Sequence, residues 1–262
     1  MTARSGAERQ KPLLNPNIVA PILVFVGIVL IWELLVVIFN PPTFLVPAPH
    51  LIGASLASNG SNLLVYGLNT FLEAFTGFVI GCGLGLLVAM IVARSQALAD
   101  LLVPLAVASN SIPILAMAPI AIVWFGIGPA SKIAIVAVMC FFPTMVSAVR
   151  GLTAASPDAM ALMRSYAATN WQIFAKLRFP TALPFIFNAL KICTALSMIG
   201  AIVAEFFGGA TSYLGVYIKT EASILRTQNA WAAIVVASLF GLGFYLAVVL
   251  LERWLMPWHR NQ

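Results

Sequence analysis

Three carboxylates, Glu33, Glu73 and Glu205, lie inside or beside long apolar runs, where an ionisable group is expensive and marks either a buried partner or a working site. Glu33 and Glu73 are either paired within a bundle, protonated, or in contact with a solute. Glu205 stands just before Gly208-Gly209, where it serves either a helix-end or gate role or direct ligand contact. Ser109, Asn110 and Ser111 form a polar island before Pro113, which lacks an N–H and frees a carbonyl from its helical bond. These residues, with Met117, either line a pathway or hydrogen-bond between helices, and Met139, Phe141 and Phe142 are placed to shape the same cavity or simply to pack. The chain's three cysteines, Cys82, Cys140 and Cys193, fall in separate apolar segments without Cys-x-x-Cys or Cys/His spacing. They read as small buried hydrophobes, and no metal site is expected. His50 and His259 sit in loop and tail contexts. No Gly-x-x-x-x-Gly-Lys-Ser/Thr, Gly-x-Ser-x-Gly or His-Glu-x-x-His sequence occurs, so no phosphate cradle, nucleophile elbow or zinc helix is expected.

The elements that must position these groups are set by composition. With 61% hydrophobic and 8% charged residues, the 262-residue chain cannot cover a water-soluble globule, for which about 25% charged residues is usual. It can supply several apolar helices of about 20 residues across a hydrocarbon core of about 30 Å. Apolar runs at 18–39, 64–93, 101–127, 133–149, 185–207 and 230–251 predict an all-α, polytopic membrane protein with about six spans. A polar tail over 1–17, a membrane domain over 18–254 and a tail over 255–262 follow, and the first run reads as a retained span. Gly77, Gly81 and Gly85 recur every four residues, a pattern for close helix approach.

The net charge of +6 does not form a basic face for nucleic acid. Eleven of the 14 Lys and Arg fall on one side if both termini are cytoplasmic, leaving only Lys132, Lys219 and Arg226 outside. The prolines between Pro41 and Pro49 rule out regular helix there and predict an outer crossover followed by a short interfacial helix from about His50. A second short outer helix is expected over 213–225.

The cytoplasmic loop 150–184 is long and carries helix grammar. Ser156 suits an N-cap, Pro157 the first helical position and Asp158 the positive helix end, giving a helix over 157–166. Thr169 caps a second helix over 170–178, which Pro180 is expected to end. Trp171, Phe174 and Ala175 share one face of it, which enters a groove on a partner or packs on the chain's own inner ends.

The run from Ala161 to Pro184, with Arg164-Ser165-Tyr166, Trp171-Gln172, Phe174, Pro180 and Pro184 at fixed spacing, resembles the coupling-loop signature of binding-protein-dependent ABC transporter permeases. Leu45-Val-Pro47-Ala-Pro49, Ile112-Pro113 through Pro119, Trp124-Phe-Gly126-Ile-Gly128 and Ala204-Glu205-Phe-Phe-Gly208-Gly209 resemble the subgroup importing taurine, alkanesulfonates, nitrate and thiamine pyrimidine precursors. The likeness spans about Ile18 to Trp254. It implies a type I ABC importer permease fold in a bacterial inner membrane, and a translocation path lined by Ser109, Asn110, Ser111, Pro113, Met117 and Glu205. The implied partners are two ATPase subunits, a second permease copy and a periplasmic or lipid-anchored binding protein. ATP and Mg belong to the ATPase subunits, with no cofactor on this chain. Asp158, Ala161, Arg164, Ser165, Tyr166, Ala167, Thr169, Trp171, Phe174 and Lys176 are the implied coupling residues. The sequence departs from the family at Ala161, where a glutamate is usual, at Met163, and at Ala167, where a glycine is usual. Positive φ is strained for alanine, so the left-handed turn at 167 is expected to be disfavoured and the loop to keep its shape with altered geometry. The alternatives are an ion-gradient-driven secondary transporter, which would show repeated halves, and a membrane-embedded enzyme, which would show clustered His, Asp or Glu. Neither pattern is present in the sequence.

Overall fold

The computed structural model describes residues 16–109 and 113–257. Arg4, Arg9, Lys11, Asn110, Ser111, His259 and Arg260, and most of both tails, lie outside the described residues. Among those described there are helices and turns and no strand. The long helices are α1 (Pro16–Phe39), α2 (Pro49–Val92), α5 (Pro129–Thr153), α8 (Phe179–Glu205) and α10 (Thr227–Leu255). Shorter ones are α3 (Gln96–Ser109), α4 (Ala118–Phe125), α6 (Pro157–Ser165), α7 (Asn170–Ile173) and α9 (Leu214–Ser223).

Five stretches are long and apolar enough to cross a membrane. The sixth expected span, 101–127, is instead a broken element: α3 ends at Ser109, and beyond Pro113 a 3₁₀ turn over Ile114–Met117 leads into α4. Pro113 and Pro119 remove two backbone donors within seven residues, which favours a short tight turn over a continuous helix. The interfacial helix expected at His50 is not separate either. It is the first part of α2, whose 44 residues reach about 66 Å, far beyond the hydrocarbon thickness.

The centre of the bundle is α2, α5 and α8. On α2, a Cβ at Gly81 would lie 2.8 Å from the Ala137 Cα, and one at Gly85 would lie 2.6 Å from the Phe141 carbonyl oxygen, both on α5. The glycine spacing thus sets a backbone-to-backbone contact that no larger residue permits. Gly81→Val is expected to push α2 off α5 and lower stability by about 1–3 kcal/mol, read as a lower unfolding midpoint in detergent. Gly83→Val, where open space surrounds the position, is expected to change little. Around this centre, α10 joins α2 through Phe71, Phe240 and Phe244, while α3 and α4 lie along opposite halves of α5. α1 is peripheral: its side chains are largely exposed, and it is held by Trp32 against Trp231, centroids 5.3 Å apart, and by Glu33 against His50, 2.6 Å apart.

Candidate functional site

Two features stand out at opposite ends of the bundle. The first is the segment between α5 and α8. Ser156 caps α6 by accepting the Ala159 N–H at 3.2 Å, with Pro157 at the first turn and Asp158 beside the positive helix end. α7 opens with a reciprocal cap: Thr169 Oγ1 accepts the Gln172 N–H at 3.3 Å and Gln172 Oε1 accepts the Thr169 N–H at 2.8 Å. Ser156 and Thr169 are the caps read from the sequence; the return bond from Gln172 is seen only in the structure.

Two expectations here are corrected. Ala167 does adopt the left-handed conformation, with φ +53, so the turn survives without glycine. The hydrogen bond from the Ala168 N–H to the Met163 carbonyl, 3.1 Å, closes the end of α6 around it. An alanine in this region costs about 1–2 kcal/mol, partly offset by the lower chain entropy of Ala in the unfolded state. Ala167→Gly is therefore expected to stabilise by up to about 1 kcal/mol, a rise of about 2–4 °C in the unfolding midpoint. A fall would show that the turn is not left-handed. Second, Pro180 does not end the helix. Phe174–Arg178 form a π turn in which the Phe179 N–H reaches back five residues to the Phe174 carbonyl. The wider turn gives the proline ring room and lets α7 run into α8, so Asn170–Glu205 is one helical rod of 36 residues.

No residue of α6 is buried, and Tyr166 and Trp171 are 76% and 72% exposed. Leu162, one turn before Tyr166 and so on the same face, is also exposed, and sequence reasoning did not single it out. The i, i+4 spacing of Leu162 and Tyr166 was the available signal. Phe174 turns the other way. It stacks on Trp171 at 5.7 Å but packs among the ends of α2, α5 and α8, with Ile173 buried beside it. The aromatic face is thus divided, Trp171 outward and Phe174 inward. Arg178 donates to the Ala93 carbonyl at 3.4 Å, tying the rod to the end of α2. Behind the segment is a cavity of about 560 Å³ whose wall includes Arg94, Arg164, Arg178 and Trp171. Ala161, Ser165 and Lys176 are exposed on the same segment.

The second feature is at the far end of α8. Glu205 is 1% exposed and its Oε2 accepts the Gly215 N–H at 2.6 Å in the first turn of α9. A Cβ at residue 215 would overlap that carboxylate, so only glycine fits. Thr70 on α2 accepts the Leu214 N–H at 3.0 Å. Of its two sequence readings Glu205 therefore has helix-end geometry, and its side chain is enclosed within the subunit. Lys132, counted from sequence among outer-loop charges, is 2% exposed instead. Its Nζ donates to the Gly128 carbonyl at 3.0 Å, lies 3.8 Å from Glu73 Oε1, and sits 5.4 Å from the Tyr213 ring centre. Four elements, α2, α5, α8 and α9, are pinned at this point. Of the remaining polar candidates, Ser109 turns back to its own helix and donates to the Leu105 carbonyl at 2.9 Å, while Pro113 and Met117 are exposed on the broken element.

Residues 81–261 match the family described as the inner membrane component of binding-protein-dependent transport systems. The chain belongs to this family. It is the membrane permease of an ABC importer of the kind its sequence resembles. The permease is 30% identical to the formylaminopyrimidine transport permease of Halalkalibacterium halodurans, over 92% of this chain and 96% of that one. It is 28% identical to the riboflavin transport permease of Chloroflexus aurantiacus, over 88% and 86%, and 28% identical to the taurine transport permease of Escherichia coli, over 73% and 66%. The crystal structure of an amino acid ABC transporter with histidines shares its fold, with a TM-score of 0.60 and 17% identity over 76% of this chain and 97% of that one. The permease works in a membrane with ATPase and binding-protein partners, as its family does.

Proposed function

We propose that this permease pairs with a second copy of itself and imports a small organic anion or a heteroaromatic vitamin precursor, driven by two ATPase subunits seated on the segment between α5 and α8. The carrying observation is mechanical. Of the exposed Leu162, Tyr166 and Trp171 surface, Trp171 sits on the 36-residue rod that ends at Glu205, and α6 reaches the rod through the short turn closed at Ala167. A push at one end of a stiff helix tilts the other, where Glu205 holds α9 and the Lys132–Glu73 pair holds α2 to α5. ATP and Mg bind the partner subunits, and the chemistry of hydrolysis is theirs.

In this reading the segment faces the cytoplasm, both termini are cytoplasmic, and the α8–α9 end faces the binding protein in a bacterial inner membrane. Asp158, Ala161, Arg164, Ser165, Tyr166, Ala167, Thr169, Trp171 and Lys176 form or shape the docking surface, and Phe174 fixes it to the bundle. With Ala161 in place of an acid, the surface is dominated by Arg164 and Lys176, which favours an acidic partner groove. The path lies against the broken element, with Pro113 and Met117 exposed on it, Ser109, Asn110 and Ser111 assigned to it from the sequence, and Glu205 setting the gate from behind. The substrate class rests on the names of the relatives.

Reconstitution tests the reading. Permease, ATPase and binding protein in liposomes are expected to take up a sulfonate, pyrimidine or flavin only with ATP and all three components. Uptake by the permease alone under an ion gradient would establish the secondary-carrier alternative instead.

A further inference from the structure

The three cysteines are the chain's full complement, lie 58 and 53 residues apart in sequence, and converge on one point. Cys82 of α2, Cys140 of α5 and Cys193 of α8 place their Sγ atoms within 4.8 Å of one another, at 6%, 0% and 0% exposure. Each is buried, as the sequence reading had it; their convergence is what the sequence did not show. Thr144, one turn along α5 from Cys140, donates to Cys82 Sγ at 3.3 Å and touches Cys193 Sγ at 3.5 Å. The Cys140 and Cys193 thiols each donate to the other's carbonyl, at 3.7 and 3.6 Å. Three sulfurs from three helices thus face one another, with a hydroxyl able to support negative charge on sulfur.

We propose that Cys82, Cys140 and Cys193 form a binding site for a soft monovalent cation, Cu(I), in the middle of the bundle. Sulfurs about 2.3 Å from one ion in a plane lie about 4 Å apart, so closure needs movements of less than about 1 Å. Soft thiolate donors select Cu(I) or Zn(II). Zinc prefers a fourth nitrogen, sulfur or carboxylate ligand; apart from the Thr144 hydroxyl, the surrounding Phe78, Val136 and Phe187 are hydrocarbon, and the thioether of Met198 suits the softer ion. Binding exchanges thiol protons for the ion: each sulfur that coordinates does so as thiolate and releases its proton to solvent, and the Thr144 hydroxyl donates to the negative charge left on sulfur. A filled site would tie α2, α5 and α8 together at the level where they pack closest.

The test uses the full-length permease in lipid nanodiscs under reducing conditions, with Cu(I) supplied as its coloured bicinchoninate complex. The expected result is withdrawal of one Cu(I) per chain and X-ray absorption showing a sulfur-only shell at about 2.3 Å. Cys140→Ala and Cys193→Ala should each weaken binding at least about tenfold. Failure of the wild-type chain to withdraw Cu(I), an unchanged affinity in the inserted variants, or a nitrogen or oxygen shell would overturn the proposal. Binding of Zn(II) with Cu(I) refused would overturn the assignment of the ion. The wild-type absorption spectrum decides even where an alanine variant does not fold, and none of these readouts depends on transport.

Discussion

Trp171→Ala in a correctly inserted permease is expected to weaken attachment of the ATPase by about 2 kcal/mol or more, roughly thirtyfold, with ATP-driven uptake falling alongside. A large aromatic ring that is 72% exposed on a capped helix gains little for the isolated subunit and is the kind of anchor that partner grooves bury. Arg164→Glu should act in the same direction by opposing an acidic groove, with a stronger dependence on salt. Phe174→Ala separates docking from packing. Phe174 lies among the ends of α2, α5 and α8, so its loss should lower the unfolding midpoint, whereas Trp171→Ala should leave that midpoint unchanged. Binding of ATPase to nanodisc-held permease measures the first effect and thermal unfolding the second.

Lys132→Met is expected to destabilise the subunit by about 3–5 kcal/mol, enough to deplete it from membranes. The ammonium and the Glu73 carboxylate are both almost wholly buried, 2% and 4% by side chain, so solvent does not screen the loss. Among the described residues Lys132 is the cation paired with Glu73 and so its compensating charge. Replacing both, Lys132→Met with Glu73→Leu, removes the uncompensated charge and should recover more than half of the stability. Thermal unfolding of the purified single and double variants measures this. A single variant as stable as the parent would show that the pair is not a working ion pair.

What the sequence made legible was local grammar and gross hydropathy. Ser156 and Thr169 act through neighbours a few residues away, and the glycines of α2 repeat at a spacing that itself marks a close-packing face, so their roles could be read directly. Long apolar runs likewise gave the bundle. Depth could not be read: Lys132 sits at a helix start with a loop-like charge, and only the packing of α2, α8 and α9 around it makes it an interior residue. Convergence could not be read either, because no period links Cys82, Cys140 and Cys193. Ala167 and Pro180 show tertiary context overriding residue preference. An alanine is held at positive φ by the bond that closes α6, and a proline is passed by widening one turn, because the segment on either side is fixed to the bundle through Ile173, Phe174 and Arg178.

The most direct measurement places a photo-reactive amino acid at position 166, exposed like Trp171, in cells that make the permease together with its ATPase and binding-protein partners. Illumination is expected to join the permease to the ATPase subunit, more strongly when ATP turnover is blocked. Capture of the permease's own helices or of lipid alone, with uptake intact, would contradict the account.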